Sequence, residues 1–105
     1  MKKKWLLLSL IGFLVSCSKQ ESMDALTARV FTVAEQQYLT MDTRLESTTL
    51  SQSIAPDSTF KSSTIYWWCS GFYPGSLWYI YEYTQNEAVK TLAEKNTLKL
   101  DPIQY

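Results

Sequence analysis

Between Tyr66 and Thr84 the chain reads Tyr-Trp-Trp-Cys-Ser-Gly-Phe-Tyr-Pro-Gly-Ser-Leu-Trp-Tyr-Ile-Tyr-Glu-Tyr-Thr, an aromatic run set around two glycines and one proline. Flat rings with a polar edge suit a sugar, whose C–H faces stack on them while its hydroxyls hydrogen-bond. Trp67, Trp68, Phe72 and Tyr73 supply such rings, and Gly71 and Gly75 permit a tight turn or a close approach of backbone to ligand. Two other readings compete. A single Trp or Tyr is more often core, the expectation for Trp78 together with Ile80. Residues 65–81 also carry no charge and space Gly71 and Gly75 as GxxxG, as a membrane helix does. Pro74 and the scarcity of aliphatic residues weigh against that reading.

The other chemistry-bearing residue types are sparse. The sequence has no histidine and two cysteines, Cys17 and Cys69, so no metal-ligand spacing can be assembled. Cys69, without a histidine base, reads as an inert, buried thiol. Lys2, Lys3 and Lys4 followed by the apolar stretch Trp5 to Val15 form a secretory leader, too short at roughly eleven residues for a bilayer span of about 20. Leu14-Val15-Ser16-Cys17 fits a bacterial lipobox, with Cys17 the lipid attachment point, residues 1–16 the signal peptide and 17–22 a tether. The product is expected to be an exported, membrane-anchored lipoprotein, periplasmic or at the cell surface. Without residues 1–16, seven basic side chains face ten acidic ones, a formal charge of −3 that argues against nucleic acid.

Trp68-Cys69-Ser70-Gly71-Phe72-Tyr73-Pro74-Gly75-Ser76-Leu77-Trp78, followed by Tyr81-Glu82-Tyr83-Thr84, resembles the W-T-x-G-F-W-x-G-x-L-W…Y-E-x-T pattern of the unsaturated glucuronyl hydrolases, glycoside hydrolase family 88. The likeness extends over residues 25–105, and Cys69 stands where the family carries threonine. It implies an all-α fold, part of an (α/α)6 barrel of six helical hairpins, with no metal or cofactor. The implied activity removes a 4,5-unsaturated uronic acid from glycosaminoglycan-type oligosaccharides by hydrating the enol-ether bond, with an aspartic acid protonating C4. Trp68 and Phe72 would match family aromatics lining the sugar subsite. The family's catalytic aspartates follow this motif, the first in an H-D-x-G-F context, and Asp24, Asp42, Asp57 and Asp101 do not match; each reads as a helix-end or surface carboxylate. No catalytic residue is carried over.

Three helices are needed to position the motif. Met23, Leu26, Val30, Val33, Ala34, Tyr38 and Met41 form a stripe over residues 23–41. Residues 46–64, rich in Ser and Thr and holding Pro56, show no sustained period and read as a long connection, either a pocket rim or a flexible linker. Pro74 suits the first turn of a second helix, apolar on nearly all sides. Asn86 caps a third helix to about Lys99, with Val89, Leu92, Ala93, Asn96 and Leu100 inward, Lys90, Glu94 and Lys95 toward water, and Pro102 ending it.

Three helices cannot close a ring of twelve. Residues 23–105 are therefore expected to be the N-terminal part of a family 88 barrel, inactive alone. The alternative is a small non-enzymatic surface lipoprotein binding glycans or a partner protein through Trp67, Trp68, Phe72 and Tyr73.

Overall fold

The computed structural model describes residues 20–104. The expected signal peptide, the lipobox and Cys17 lie outside the described residues. The chain forms α1 (Met23–Asp42), β1 (Thr49–Ile54), β2 (Phe60–Thr64), α2 (Phe72–Thr84) and α3 (Glu87–Leu98), then a 3-10 turn at Asp101–Ile103. The three helices stand where the sequence places them. The fold is mostly helical, but the all-α expectation is corrected by an antiparallel hairpin in place of the structureless connection.

The hairpin was hidden by its own composition and by a bulge. Thr49 pairs with Thr64, Leu50 with Ser63 and Ser51 with Ser62; the register then shifts, so that Ser53 meets Lys61 and Ile54 meets Phe60. Gln52 is the extra residue, and it breaks the period of two that would mark a strand. Only Leu50 of β1 is buried in the core, so no apolar alternation exists to be read. Pro56 occupies the second position of the Ala55–Ser58 turn, closed by Ser58 N–H donating to Ala55 O at 2.8 Å. Asp57 Oδ1 accepts from the backbone N–H and the hydroxyl of Thr59 at 3.0 and 2.7 Å, fixing the return strand.

α1 starts at Ser22, whose Oγ accepts the Ala25 N–H at 3.2 Å. Ala34, Tyr38 and Met41 of its expected stripe turn inward, joined by Phe31 and Leu39. Met23, Val30 and Val33 do not; they are exposed. α2 takes Pro74 in its first turn and buries Tyr73, Leu77 and Ile80, positions i, i+4 and i+7. It closes on Gln85 in the left-handed region (φ 55°), and the next residue, Asn86, caps α3 by accepting the Ala88 N–H at 2.8 Å. This two-residue joint makes α2 and α3 a helical hairpin. The core comprises Leu50, Tyr73, Leu77, Ile80, Val89 and Ala93.

Asp42 is a helix-end carboxylate, the last residue of α1, but not a surface one: it is the buried centre of a polar cluster, 8% exposed. Its Oδ1 accepts from Asn96 Nδ2 at 2.8 Å and from the Tyr73 hydroxyl at 3.3 Å, and its Oδ2 meets Lys95 Nζ at 2.8 Å. All three helices therefore converge on one carboxylate. Lys95, expected to face water, bends inward to this pair while half its side chain stays wet. Burial pushes the Asp42 carboxyl up, but the hydrogen bonds from Lys95 and Asn96 and the charges of Lys95 and Lys99 outweigh it and hold the group below the usual 3.8.

Asp42→Ala is expected to cost about 3 kcal/mol, because it strands the buried Tyr73 hydroxyl and the Asn96 amide; Lys95→Ala should cost about 1 kcal/mol or less, since water can replace it. Urea unfolding of the full chain measures both. The same carboxyl sets an acid limit. Its folded pKa is lowered, so the unfolded chain binds the extra proton first: the contribution is complete above the ordinary aspartate range and lost as pH falls through the folded value. Thermal melts from pH 6 to 2 should show this loss in the native chain and a shallower one in Asp42→Ala.

Candidate functional site

The backbone from Ile65 to Gly71 advances through consecutive turns, with Trp67 N–H donating to Thr64 O, Ser70 N–H to Trp67 O and Phe72 N–H to Cys69 O. This path carries the chain from β2 to the start of α2. Trp68 is left on the outside beside the first turn of the helix. Trp68, Phe72, Ser76 and Tyr79, with the backbone of Gly71 and Gly75 between them, line an open cleft of about 300 Å³. Phe72, Ser76 and Tyr79 share a helix face because they are spaced i, i+4 and i+7. The two residues matched to the sugar subsite, Trp68 and Phe72, are thus brought together at 84% and 70% exposure.

The other two proposed rings are not part of that surface. Trp67 is half-buried and packs edge-on against Trp68, with ring centroids 5.9 Å apart, so it braces the outer indole. Tyr73 is a core residue: it is 4% exposed, stacks on Tyr38 at 5.6 Å and donates to Asp42. Burial, then the Asp42 charge, drives its phenol far above the ordinary tyrosine range. On a helix, positions 72 and 73 point about 100° apart, so adjacent rings cannot both face the cleft.

Trp78, expected in the core, is instead exposed, its indole N–H donating to Thr97 Oγ1 at 2.9 Å; Ile80 is buried as expected. Neither glycine makes a positive-φ turn. A Cβ at Gly71 or Gly75 would meet no atom within 4 Å, so nothing in the described chain requires their bareness. Their effect is to leave main chain exposed along the cleft floor, open to an approaching ring or hydroxyl.

The site offers surface rather than reactivity. Burial raises the Cys69 thiol pKa and keeps it protonated and unreactive at neutral pH. Asp42 is ionised and committed to three partners, the reverse of what a general acid needs. Asp24 lies in the exposed first turn of α1, Asp57 in the hairpin turn and Asp101 at the 3-10 turn. Tyr79 and Ser76 were missed as cleft residues, although their helical spacing from Phe72 was legible. The membrane reading of the run is not supported, since α2 has 13 residues and no described helix is long and apolar enough to cross a membrane.

Comparison with known proteins gives a partial likeness. The chain is 52% identical over 31 residues to an unsaturated chondroitin disaccharide hydrolase of Streptococcus pneumoniae; the match covers 30% of this chain and 8% of that protein. No protein-family model matches the chain, and no solved structure does. The chain thus carries a local similarity to a glycosaminoglycan-degrading hydrolase.

The different settings of neighbouring rings predict opposite responses. Trp68→Ala should change stability by no more than about 0.5 kcal/mol, whereas Tyr73→Ala should cost about 3–5 kcal/mol by opening the core and leaving Asn96 and Lys95 alone on Asp42. Denaturant midpoints of the two variants measure the contrast.

Proposed function

We propose that this chain supplies one wall of an acidic-sugar site in an unsaturated glucuronyl hydrolase of the family 88 type, with Trp68 and Phe72 as stacking rings and Tyr79 extending the surface. The observation that carries the reading is the joint exposure of Trp68, Phe72 and Tyr79 along bare glycine backbone, in the motif that resembles the family's. The local likeness to a chondroitin disaccharide hydrolase supports the same substrate class.

The wall orients a non-reducing-end 4,5-unsaturated uronic acid by ring stacking. Further helices of an (α/α)6 barrel would bring the aspartic acid that protonates C4, and water would add at C5. Besides the three cleft rings, nine large apolar side chains among the described residues are at least 37% exposed, against six buried in the core. A surplus of that kind is what a wall awaiting further helices carries. Cys17 would hold the enzyme at the membrane through its lipid, on the exported side.

A second reading, a small surface lipoprotein that binds glycans without turnover, draws support from the closed core around Asp42, which joins all three helices. The two readings diverge on catalysis and association. The enzyme-wall reading expects concentration-dependent self-association of the chain, and turnover only when the missing barrel helices are supplied. Stable monomers that bind without turnover under both conditions would favour the lipoprotein.

Titrating the chain with unsaturated chondroitin disaccharide, followed by tryptophan fluorescence, should give a weak saturable signal. Trp68→Ala should weaken it roughly two- to tenfold, the range of about 0.5–1.5 kcal/mol for an aromatic contact. Equal binding by the variant would remove Trp68 from the site. Translating the DNA beyond the codon for Tyr105 in all three frames tests the barrel: a His-Asp-x-Gly-Phe sequence there is the expected result.

A further inference from the structure

A second groove lies away from the aromatic cleft, between the C-terminal half of α1 and the tip of the hairpin, with a volume of about 580 Å³. It falls within the range of about 300–1,000 Å³ usual for small-molecule sites. Tyr38 and Phe60 give it aromatic walls, Ile54 an apolar rim, and Gln36 and Gln37 an amide edge. Arg44 is the one charged residue that lines it. No carboxylate answers that guanidinium: Arg44 joins no ion pair among the described residues. Asp42, two positions earlier, is turned into the core and committed to Lys95.

We propose that this groove is a second glycan site, which takes a uronic-acid-bearing oligosaccharide with its carboxylate on Arg44, its hydroxyls on Gln36 and Gln37, and a ring face against the Tyr38 and Phe60 walls. A guanidinium presents paired donors that match a carboxylate, and the net positive lining gives an anionic ligand charge complementarity that a neutral sugar lacks. An extended peptide fits less well. It would add along an outer edge of the hairpin, whereas the groove is lined by the side chains of Ile54 and Phe60. The site is independent of Trp68 and gives the chain a second point of attachment to a long acidic polysaccharide.

The test is a titration of the 15N-labelled full chain with unsulfated chondroitin tetrasaccharide, its carboxyl methyl ester, and tetraglutamate. The expected result is saturable shifts of the Gln36 and Gln37 side-chain amides, about tenfold weaker with the ester and in Arg44→Gln, and unchanged in Trp68→Ala. Arg44 is exposed, so its substitution should leave the fold intact. Shifts confined to Trp68, Phe72 and Tyr79 would overturn the second site while sparing the aromatic one. Equal binding of ester and acid, or equal shifts with tetraglutamate, would also overturn it, the latter pointing to an acidic-peptide groove.

Discussion

A carboxylate taken out of water has to be matched, and in this chain the matching of Asp42 joins the three helices. A lone buried carboxylate costs several kcal/mol, so the arrangement is favourable only when its partners arrive together. Tyr73 comes from α2, Lys95 and Asn96 from α3, and Asp42 itself ends α1. Two further links extend the arrangement: Asn86 Nδ2 donates to Glu35 Oε1 at 2.8 Å, and Lys99 Nζ donates to the carbonyls of Glu46 and Thr49 at 3.3 and 2.9 Å. The second link anchors the start of the hairpin to the end of α3. With a core of only six buried apolar residues, directional contacts of this kind fix the relative placement of helices that apolar contact alone would leave loose.

This constraint sorts the aromatic residues. Once Tyr73 is drawn to Asp42, the rotation of α2 is set: Leu77 and Ile80 follow Tyr73 into the core, and Phe72, Ser76 and Tyr79 are turned outward on the other side. The exposed rings thus sit on a helix whose orientation is determined by a buried polar network, and Trp68 is steadied by Trp67. The proposed stacking role would benefit from such rigidity, because rings that are already placed lose little freedom on binding. The α1 side of the molecule is governed likewise. Burial of Asp42 faces the last turn of α1 toward α2 and α3 and leaves Arg44, just beyond it, free at the mouth of the groove under the hairpin tip.

The helices were legible because their determinants are local. Asn86 is a cap, Pro74 belongs in a first turn, and Val89, Ala93 and Asn96 repeat at helical spacing. The hairpin was not, because a strand with one buried residue and a bulge at Gln52 gives no alternation. The burial of Asp42 was not legible for another reason. Its partners lie 31, 53 and 54 residues away in the chain, and nothing near it marks it as buried.

The sequence by itself determined three helices, the Asn86 cap of the third and an aromatic motif at the start of the second, all of which follow from contacts within a few residues. Only the tertiary structure decided which of those rings meet solvent. Phe72 and Tyr73 are neighbouring aromatic rings, and what separates the solvent-facing ring from the core ring is the phase of one helix, fixed by a carboxylate on another.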